Sequence, residues 1–276
     1  INTSKIVLIT DNNYVISNFK REGIKVIQIW HATGAIKKFG NAIKREYPIK
    51  NYDYVIANSD YWKIPYQEAF NVLRDNVIVT GMPRVDHLVN DHYLQSTRVK
   101  LLQKYPILKN KKIVLYAPTF RGNIYQGFKS VSFNGKKLLD QLDDEYVLIY
   151  KFHPLLLNTE IPSDDRIINL SNEDTHDLFT VSDMLVSDFS SIIFDYAFLN
   201  KPMYFFVPDL DEYLNTLGCF VDYDKTMPGP ICFDEEQLAL AILKAKKYNL
   251  KYFLQTFFKY QDGNNTKRVV EFIKKL

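Results

Sequence analysis

SDMLVSDFSSIIFDYAFL, residues Ser182–Leu199, decides how the rest of the chain is read. A short apolar run, Met184 to Val186, reads as a buried strand. The polar Ser187-Asp188-Phe189 follows as a turn, and a helix is expected to open at Ser190-Ser191. A strand that runs straight into a serine-capped helix leaves the first backbone N–H groups of that helix pointing outward. With the helix dipole and two hydroxyls, they offer a seat for a phosphate or diphosphate. The same pattern also fits an ordinary N-cap in any α/β protein, so the flanking sequence has to choose.

Outward from this stretch the chain alternates strands and helices. KIVLYAP, the strand inside KKLLDQLDDEYVLIYKFHP, DRIINLS, DMLVSD and KPMYFFVP give one series, the last beginning after the break at Lys201-Pro202. An earlier series comprises Ser4–Thr10, Ile24–His31, Tyr52–Ser59 and Val77–Thr80, with helices between them. Strands and helices at this spacing predict parallel, doubly wound sheets. The reading is an α/β protein of two Rossmann-like domains facing across a cleft. The first spans residues 1–105, the second 106–255, with Pro106–Lys112 as the connection. A C-terminal helix, 256–276, is expected to cross back to the first domain, and the tail from Glu235 reads as helical with a break near Gly263.

Composition bounds the function. The 276 residues carry 46% hydrophobic and 24% charged side chains, which suits two medium domains with sizeable cores. A net charge of +3 is too mild to argue for nucleic acid. The two cysteines, Cys219 and Cys232, lack CxxC spacing and a nearby histidine, so they suggest neither a zinc site nor a disulfide framework, and a reducing compartment is expected. No window approaches the roughly 18 apolar residues of a membrane span. The chain opens on Ile and enters a strand almost at once, which suggests a piece of a longer parent.

In open α/β sheets ligands lie beyond the carboxyl ends of the strands. Residues leaving strand ends here are His31, Ser59, Gly81 and Arg84 in the first half, then Thr119, Arg121, His153, Asp188, Ser190 and Ser191. The set is rich in anion-binding groups and imidazoles and poor in paired carboxylates, which suits phosphate chemistry better than glycoside hydrolysis. Arg121, in YAPTFR, is placed to clamp a phosphate through two N–H groups. It also fits a solvated strand-end arginine. His153, in KFHP, sits beside Lys151 and before a rigid proline. His87, His92 and His176 have no such setting and read as surface residues. In WHATGAIKKFG, Trp30 walls a pocket and His31 is poised as a general base. Lys37, Lys38, Lys44 and Arg45 follow as a basic lip for an anionic acceptor or an anionic membrane surface, or equally as a solvated helix face. The tail mixes Lys244, Lys246, Lys247, Lys251 and Lys259 with Tyr248, Tyr252, Phe253, Phe257 and Phe258, a pattern better explained by packing than by lipid. No Walker A, GxGxxG or metal-ligand cluster occurs, so no metal or cofactor is expected.

WHATGAIKKFG, GMPRVDHL, VLYAPTFR, KFHP and SDFSSIIFDYAFLNKP, in that order, resemble the CDP-glycerol glycerophosphotransferase family of teichoic acid synthesis. Each stretch alone is weak; their order and spacing from about Gln28 to Asp222 carry the resemblance. It implies a GT-B fold and an enzyme that moves glycerol phosphate from CDP-glycerol to a hydroxyl of a lipid-linked wall teichoic acid precursor, releasing CMP. The acceptor it implies is an undecaprenyl-diphosphate-linked disaccharide, and the site of action the cytoplasmic face of the membrane, as a peripheral enzyme. Ala32 after the histidine, with no proline soon after, looks more like the primase type than the polymerase type. By the same resemblance His31 is the candidate base. Arg121, His153, Thr119 and the Ser190-Ser191 turn would hold the diphosphate, with His153 also catalytic. Asp195 would meet a ribose or the glycerol, or else pair with Lys201. Two other readings remain open: a GT-B glycosyltransferase using a nucleotide sugar, and a non-catalytic module that binds wall polymer.

Overall fold

In a computed structural model, residues 4–123, 127–156, 159–244 and 249–276 are described. The chain divides into two compact units. Ile1–Asn90, Leu217–Val221 and Lys251–Leu276 form one; Asp91–Thr216 and Asp222–Leu250 form the other.

The first unit holds four parallel strands, β1 (Ile6–Ile9), β2 (Lys25–Gln28), β3 (Tyr54–Ala57) and β4 (Val77–Val79), side by side in chain order. Between them lie α1 (Tyr14–Phe19) and α2 (Lys63–Phe70). The inner strands read as continuous apolar runs because both of their faces are covered; Val55, Ile56 and Ala57 have no exposed surface. The stretch after His31 is not the helix face weighed from the charge run. Residues 32–50 are irregular apart from a single 3-10 turn at Gly40–Ala42.

The second unit begins with α3 (Asp91–Lys104) and continues through β5 (Lys112–Tyr116), a hairpin of β6 (Arg121–Asn123) and β7 (Gly127–Lys129), and α4 (Gly135–Leu139). Then come β8 (Tyr146–Tyr150), β9 (Ile167–Asn169), α5 (Thr175–Val181), β10 (Met184–Ser187), α6 (Ile192–Tyr196) and β11 (Met203–Phe206). It closes with α7 (Leu210–Thr216), α8 (Tyr223–Thr226), β12 (Ile231–Cys232) and α9 (Glu235–Leu243). Its six-stranded sheet runs β12-β11-β10-β5-β8-β9, every pair parallel. Numbered from β5 and leaving out the hairpin, this is the doubly wound order 3-2-1-4-5-6. All residues of β8, β10 and β11 are buried.

The boundary falls at Asp91, earlier than the expected residue 106. The cause is α3, which bonds to α5: the Tyr93 hydroxyl donates to Asp177 at 2.6 Å, and Arg98 donates to the carbonyls of Thr180 at 2.9 Å and Val181 at 3.1 Å. Pro106–Leu108 is a 3-10 turn inside this unit rather than a connection. The tail is not one helix. It forms α9, then α10 (Lys251–Phe257) and α11 (Asn265–Ile273), the last two assigned with Lys251–Leu276 to the first unit. Ser59 donates to the Thr256 carbonyl and Trp62 to that of Phe257, at 3.1 and 3.3 Å. Lys246, Lys247 and Tyr248 lie outside the described residues.

GMPRVDHL explains how that tail is held. Gly81 has φ of 78°, and a Cβ there would lie 1.9 Å from Asn265 Oδ1, so only glycine admits the approach. Asn264 gives α11 no side-chain cap. Asp86 serves instead from a distant part of the chain, accepting from the N–H groups of Asn265 (3.0 Å) and Thr266 (2.8 Å) and from the Thr266 hydroxyl (2.6 Å). A carboxylate at a helix start satisfies orphan donors and favours the dipole. Asp86→Ala is therefore expected to cost about 1–2 kcal/mol of stability, measured as a lowered urea midpoint at unchanged slope. An unaltered midpoint would show that α11 docks without this cap.

Candidate active site

The strand order of the second unit reverses between β5 and β10, and the crevice beyond their carboxyl ends is where such sheets bind ligands. Both chains leaving that point are held by Asp188, whose side chain is 1% exposed. One carboxylate oxygen accepts the Thr119 N–H at 2.8 Å and the other accepts Arg121 Nη1 at 2.9 Å. Ser187 adds a bond from its hydroxyl to the Ala117 carbonyl at 2.8 Å, and the Tyr223 hydroxyl donates to the Asp188 carbonyl at 3.0 Å.

Arg121 therefore does not present a guanidinium fork to solvent, as the phosphate clamp required. Nε and Nη2 donate to the two oxygens of Asp209, at 2.7 and 3.0 Å, and Nη1 also reaches the Thr119 carbonyl at 2.8 Å. Its planar group packs against Phe189 and Tyr213, which stack on each other at 3.7 Å. Burial opposes the charge, but Asp209 and Asp188 more than offset it, so the guanidinium pKa stands above its ordinary value. Thr119 is likewise buried, and its N–H serves the turn. Both residues shape the crevice floor.

Beside that floor a pocket of about 120 Å³ is lined by Ala117, Pro118, Lys151, Phe152, His153, Pro154, Thr175, Ser190 and Ile192. The ends of β5 and β8 and the starts of α5 and α6 thus meet here. A shallower depression of about 460 Å³ shares Lys151, Pro154 and Thr175 and adds Ser171, Asn172, Glu173 and Asp174. His153 Nδ1 accepts the Leu155 N–H at 3.2 Å. In neutral imidazole the proton then sits on Nε2, so His153 faces a ligand as a donor. Lys151 supplies a cation, its Nζ donating to the Ser171 carbonyl at 2.7 Å. Burial lowers its pKa, partly countered by Asp174 and Glu173.

The serine pair behaves differently from the expected cap. The helix opens at Ile192, and Ser191 at the N-cap makes no side-chain bond to it. Ser190 lines the pocket, with its Oγ 3.4 Å from the Ile192 nitrogen. With five residues in α6, the dipole contributes little; the hydroxyl and the local backbone are what the site offers. Asp195 is 2% exposed and lies 3.0 Å from His176 Nε2. It faces the protein interior and bonds to neither a ligand surface nor Lys201, whose Nζ donates to the Phe179 and Ser182 carbonyls. His176, read as a surface residue, is buried.

In the first unit His31 stands just beyond β2, its side chain 55% exposed. Nδ1 is 3.1 Å from the Thr10 carbonyl, which can only accept, so the basic lone pair is on Nε2. Its neighbour Trp30 adopts φ of 67°, a sparsely populated conformation for a bulky residue and a mark of functional sites. The Trp30 ring is stacked on Phe39 at 4.8 Å, and its N–H donates to Gln28 at 2.8 Å. The basic lip divides: Lys44 is exposed, whereas Lys37 and Lys38 are half-buried, with Lys37 bridged to Cys219 and the Lys38 N–H donating to the Gly218 carbonyl. Arg45 Nε is bonded to the Tyr47 carbonyl at 3.0 Å.

A doubly wound sheet with a polar pocket at its switch point, in a chain of two parallel-sheet units, is the architecture of GT-B-like α/β enzymes. The chain belongs to the family described as CDP-Glycerol:Poly(glycerophosphate) glycerophosphotransferase, which matches residues 1–275. It is 37% identical to the teichoic acid poly(ribitol-phosphate) polymerase of Bacillus spizizenii, over 98% of this chain and 46% of that protein. It is 34% identical to the teichoic acid glycerol-phosphate primase of Bacillus subtilis, over 98% of this chain and 74% of that protein. The chain thus spans under half of the polymerase and about three-quarters of the primase. Among solved structures, the wall teichoic acid polymerase TagF matches with a TM-score of 0.80 at 26% identity, covering 98% of this chain and 72% of that one. One TagF structure, similar at 27% identity, was soaked with CDPG. UDP-GlcNAc 2-epimerase from Neisseria meningitidis shares the fold at 14% identity and a TM-score of 0.59, over 99% of this chain and 76% of that one.

Asp188 was legible only as a turn residue, yet the crevice floor depends on it. Asp188→Ala leaves Arg121 buried with half its partners, and breaking such a pair costs about 3–5 kcal/mol. A guanidinium chloride melt is expected to show that loss, with Asp188→Asn intermediate. A loss below about 1 kcal/mol would place the pair among surface contacts of little worth.

Proposed function

We propose that this chain carries the transfer of a polyol phosphate from a CDP-linked donor to a hydroxyl of a teichoic acid precursor, with CMP as the leaving group. The observation that carries the reading is the pocket at the switch point of the second unit, which brings His153, Lys151, Ser190 and Thr175 to one place. Its volume suits phosphate groups, and the adjoining depression leaves room for the nucleoside half. His153 Nε2–H and the Lys151 ammonium are donors that would stabilise negative charge on the departing phosphate. His31 Nε2 would take the proton of the attacking hydroxyl. The P–O bond to the polyol-bearing phosphorus forms as its bond to the CMP oxygen breaks, and the proton leaves with the base. Arg121 and Thr119 act by shaping the floor, and Asp195 through His176, rather than by touching the donor.

The precursor is proposed to be a lipid-linked disaccharide, here the undecaprenyl-diphosphate type, met at the cytoplasmic face of an anionic membrane. Lys44 is the exposed cation of the lip. No helix among the described residues is long and apolar enough to cross a membrane. Primases and polymerases both match the chain, so the assay counts additions as well as turnover.

Incubation with CDP-glycerol or CDP-ribitol and a lipid-linked acceptor is expected to release CMP. Sugar transfer from a UDP donor without CMP release would overturn the proposal. His31→Ala and His153→Ala are each expected to lower kcat by about 10²–10⁴, with folding preserved by thermal melt. A chain that binds wall polymer as tightly after both substitutions, and never turns over, would be a binding module.

A further inference from the structure

The His176–Asp195 pair belongs to no step of that chemistry, yet it lies directly behind the pocket. His176 follows Thr175, a lining residue at the start of α5, and Asp195 lies one turn beyond the lining residues Ser190 and Ile192. The two side chains are 8% and 2% exposed, and Nε2 stands 3.0 Å from Oδ2. An imidazole and a carboxylate are kept out of water only where their geometry is fixed.

The need for such a fixed point follows from α6. A five-residue helix without a side-chain cap has little stability of its own and takes its direction from what it packs on. Its two polar ties to α5 in the described residues come from its last two positions. Asp195 meets His176, and the Tyr196 hydroxyl meets Ser182 Oγ at 3.2 Å. The start of α6, with Ser190 and Ile192, therefore projects toward the pocket from an anchored end. The α5 start is fixed in turn by Asp174, which accepts the N–H groups of His176 and Asp177 at 2.8 and 3.2 Å.

We infer that His176 and Asp195 are positioning residues for the donor: their bond holds α6 on α5 and sets where Ser190 and Thr175 stand in the pocket wall. The inference rests on the proposed donor site and adds the determinant of its geometry. Displacing a binding group by about an ångström is enough to lower turnover of a bound substrate markedly. The ligand class is a nucleoside-diphosphate polyol, held by its phosphates.

Steady-state kinetics with CDP-glycerol and CDP-ribitol test it. His176→Leu is expected to raise the donor KM by about tenfold while kcat falls less. His176→Gln, which restores an N–H toward Asp195, is expected to return KM to within about threefold of the unmutated chain. Where His176→Leu does not fold, the His176→Leu/Asp195→Leu double variant leaves no buried charge without its partner and serves as the folded reporter. A folded Leu variant with unchanged donor KM, or a Gln variant as impaired as Leu, overturns the inference. An unmutated chain that neither binds nor turns over either CDP-polyol overturns the donor site itself, a result visible before any variant is made.

Discussion

A carboxylate sealed from water at the point where a parallel sheet reverses its strand order is the constraint on which this site is built. Asp188 can stay buried because a backbone N–H and a guanidinium take its two oxygens. Arg121 can in turn stay buried because Asp209 completes its fork and two aromatic rings cover its face. Each group is tolerated on condition of the next. The consequence is mechanical. The turn after β5, the turn after β10 and the residue preceding α7 are locked to one another, so the crevice floor is fixed before any ligand arrives.

The sheet order and the strand-end residues were legible because both obey local rules. Continuous apolar runs mark strands covered on two faces, and a proline or glycine marks where each stops. The partners of those residues were not legible. Asp209 is 88 positions from Arg121, and nothing in YAPTFR announces it. An arginine at a strand end reads the same whether it awaits a phosphate or is already paired. His176 was misplaced for a related reason: the segment NEDTHDLF is polar on every side, and only the approach of Asp195 from α6 puts its imidazole inside. The unit boundary moved because Tyr93 and Arg98 bind α5, contacts that the polar pattern of Asp91–Lys104 does not reveal.

The two histidines at strand ends are distinguished by a single local bond each. Nδ1 of His31 donates to the Thr10 carbonyl, whereas Nδ1 of His153 accepts from the Leu155 N–H. The neutral rings are thereby set in opposite tautomers, one offering a lone pair at Nε2 and the other a proton. No composition or spacing argument separates them. His31 carries a further cost in the left-handed backbone of Trp30, on the order of 1–3 kcal/mol, met by the stack on Phe39 and the bond to Gln28.

The five stretches by which the family is recognised are thus not five pieces of one catalytic apparatus. KFHP and SDFSS reach the pocket directly. VLYAPTFR supplies its floor through an internal ion pair, and GMPRVDHL ties α11 to the first unit through Gly81 and Asp86. WHATGAIKKFG combines a displayed imidazole with a buried, irregular loop, with Ala32, Thr33, Gly34, Ala35 and Ile36 all inside. A motif in this chain therefore marks places where the backbone has one admissible arrangement. Chemistry uses some of those places because a group that must hold a phosphate to a fraction of an ångström needs a backbone with nowhere else to go.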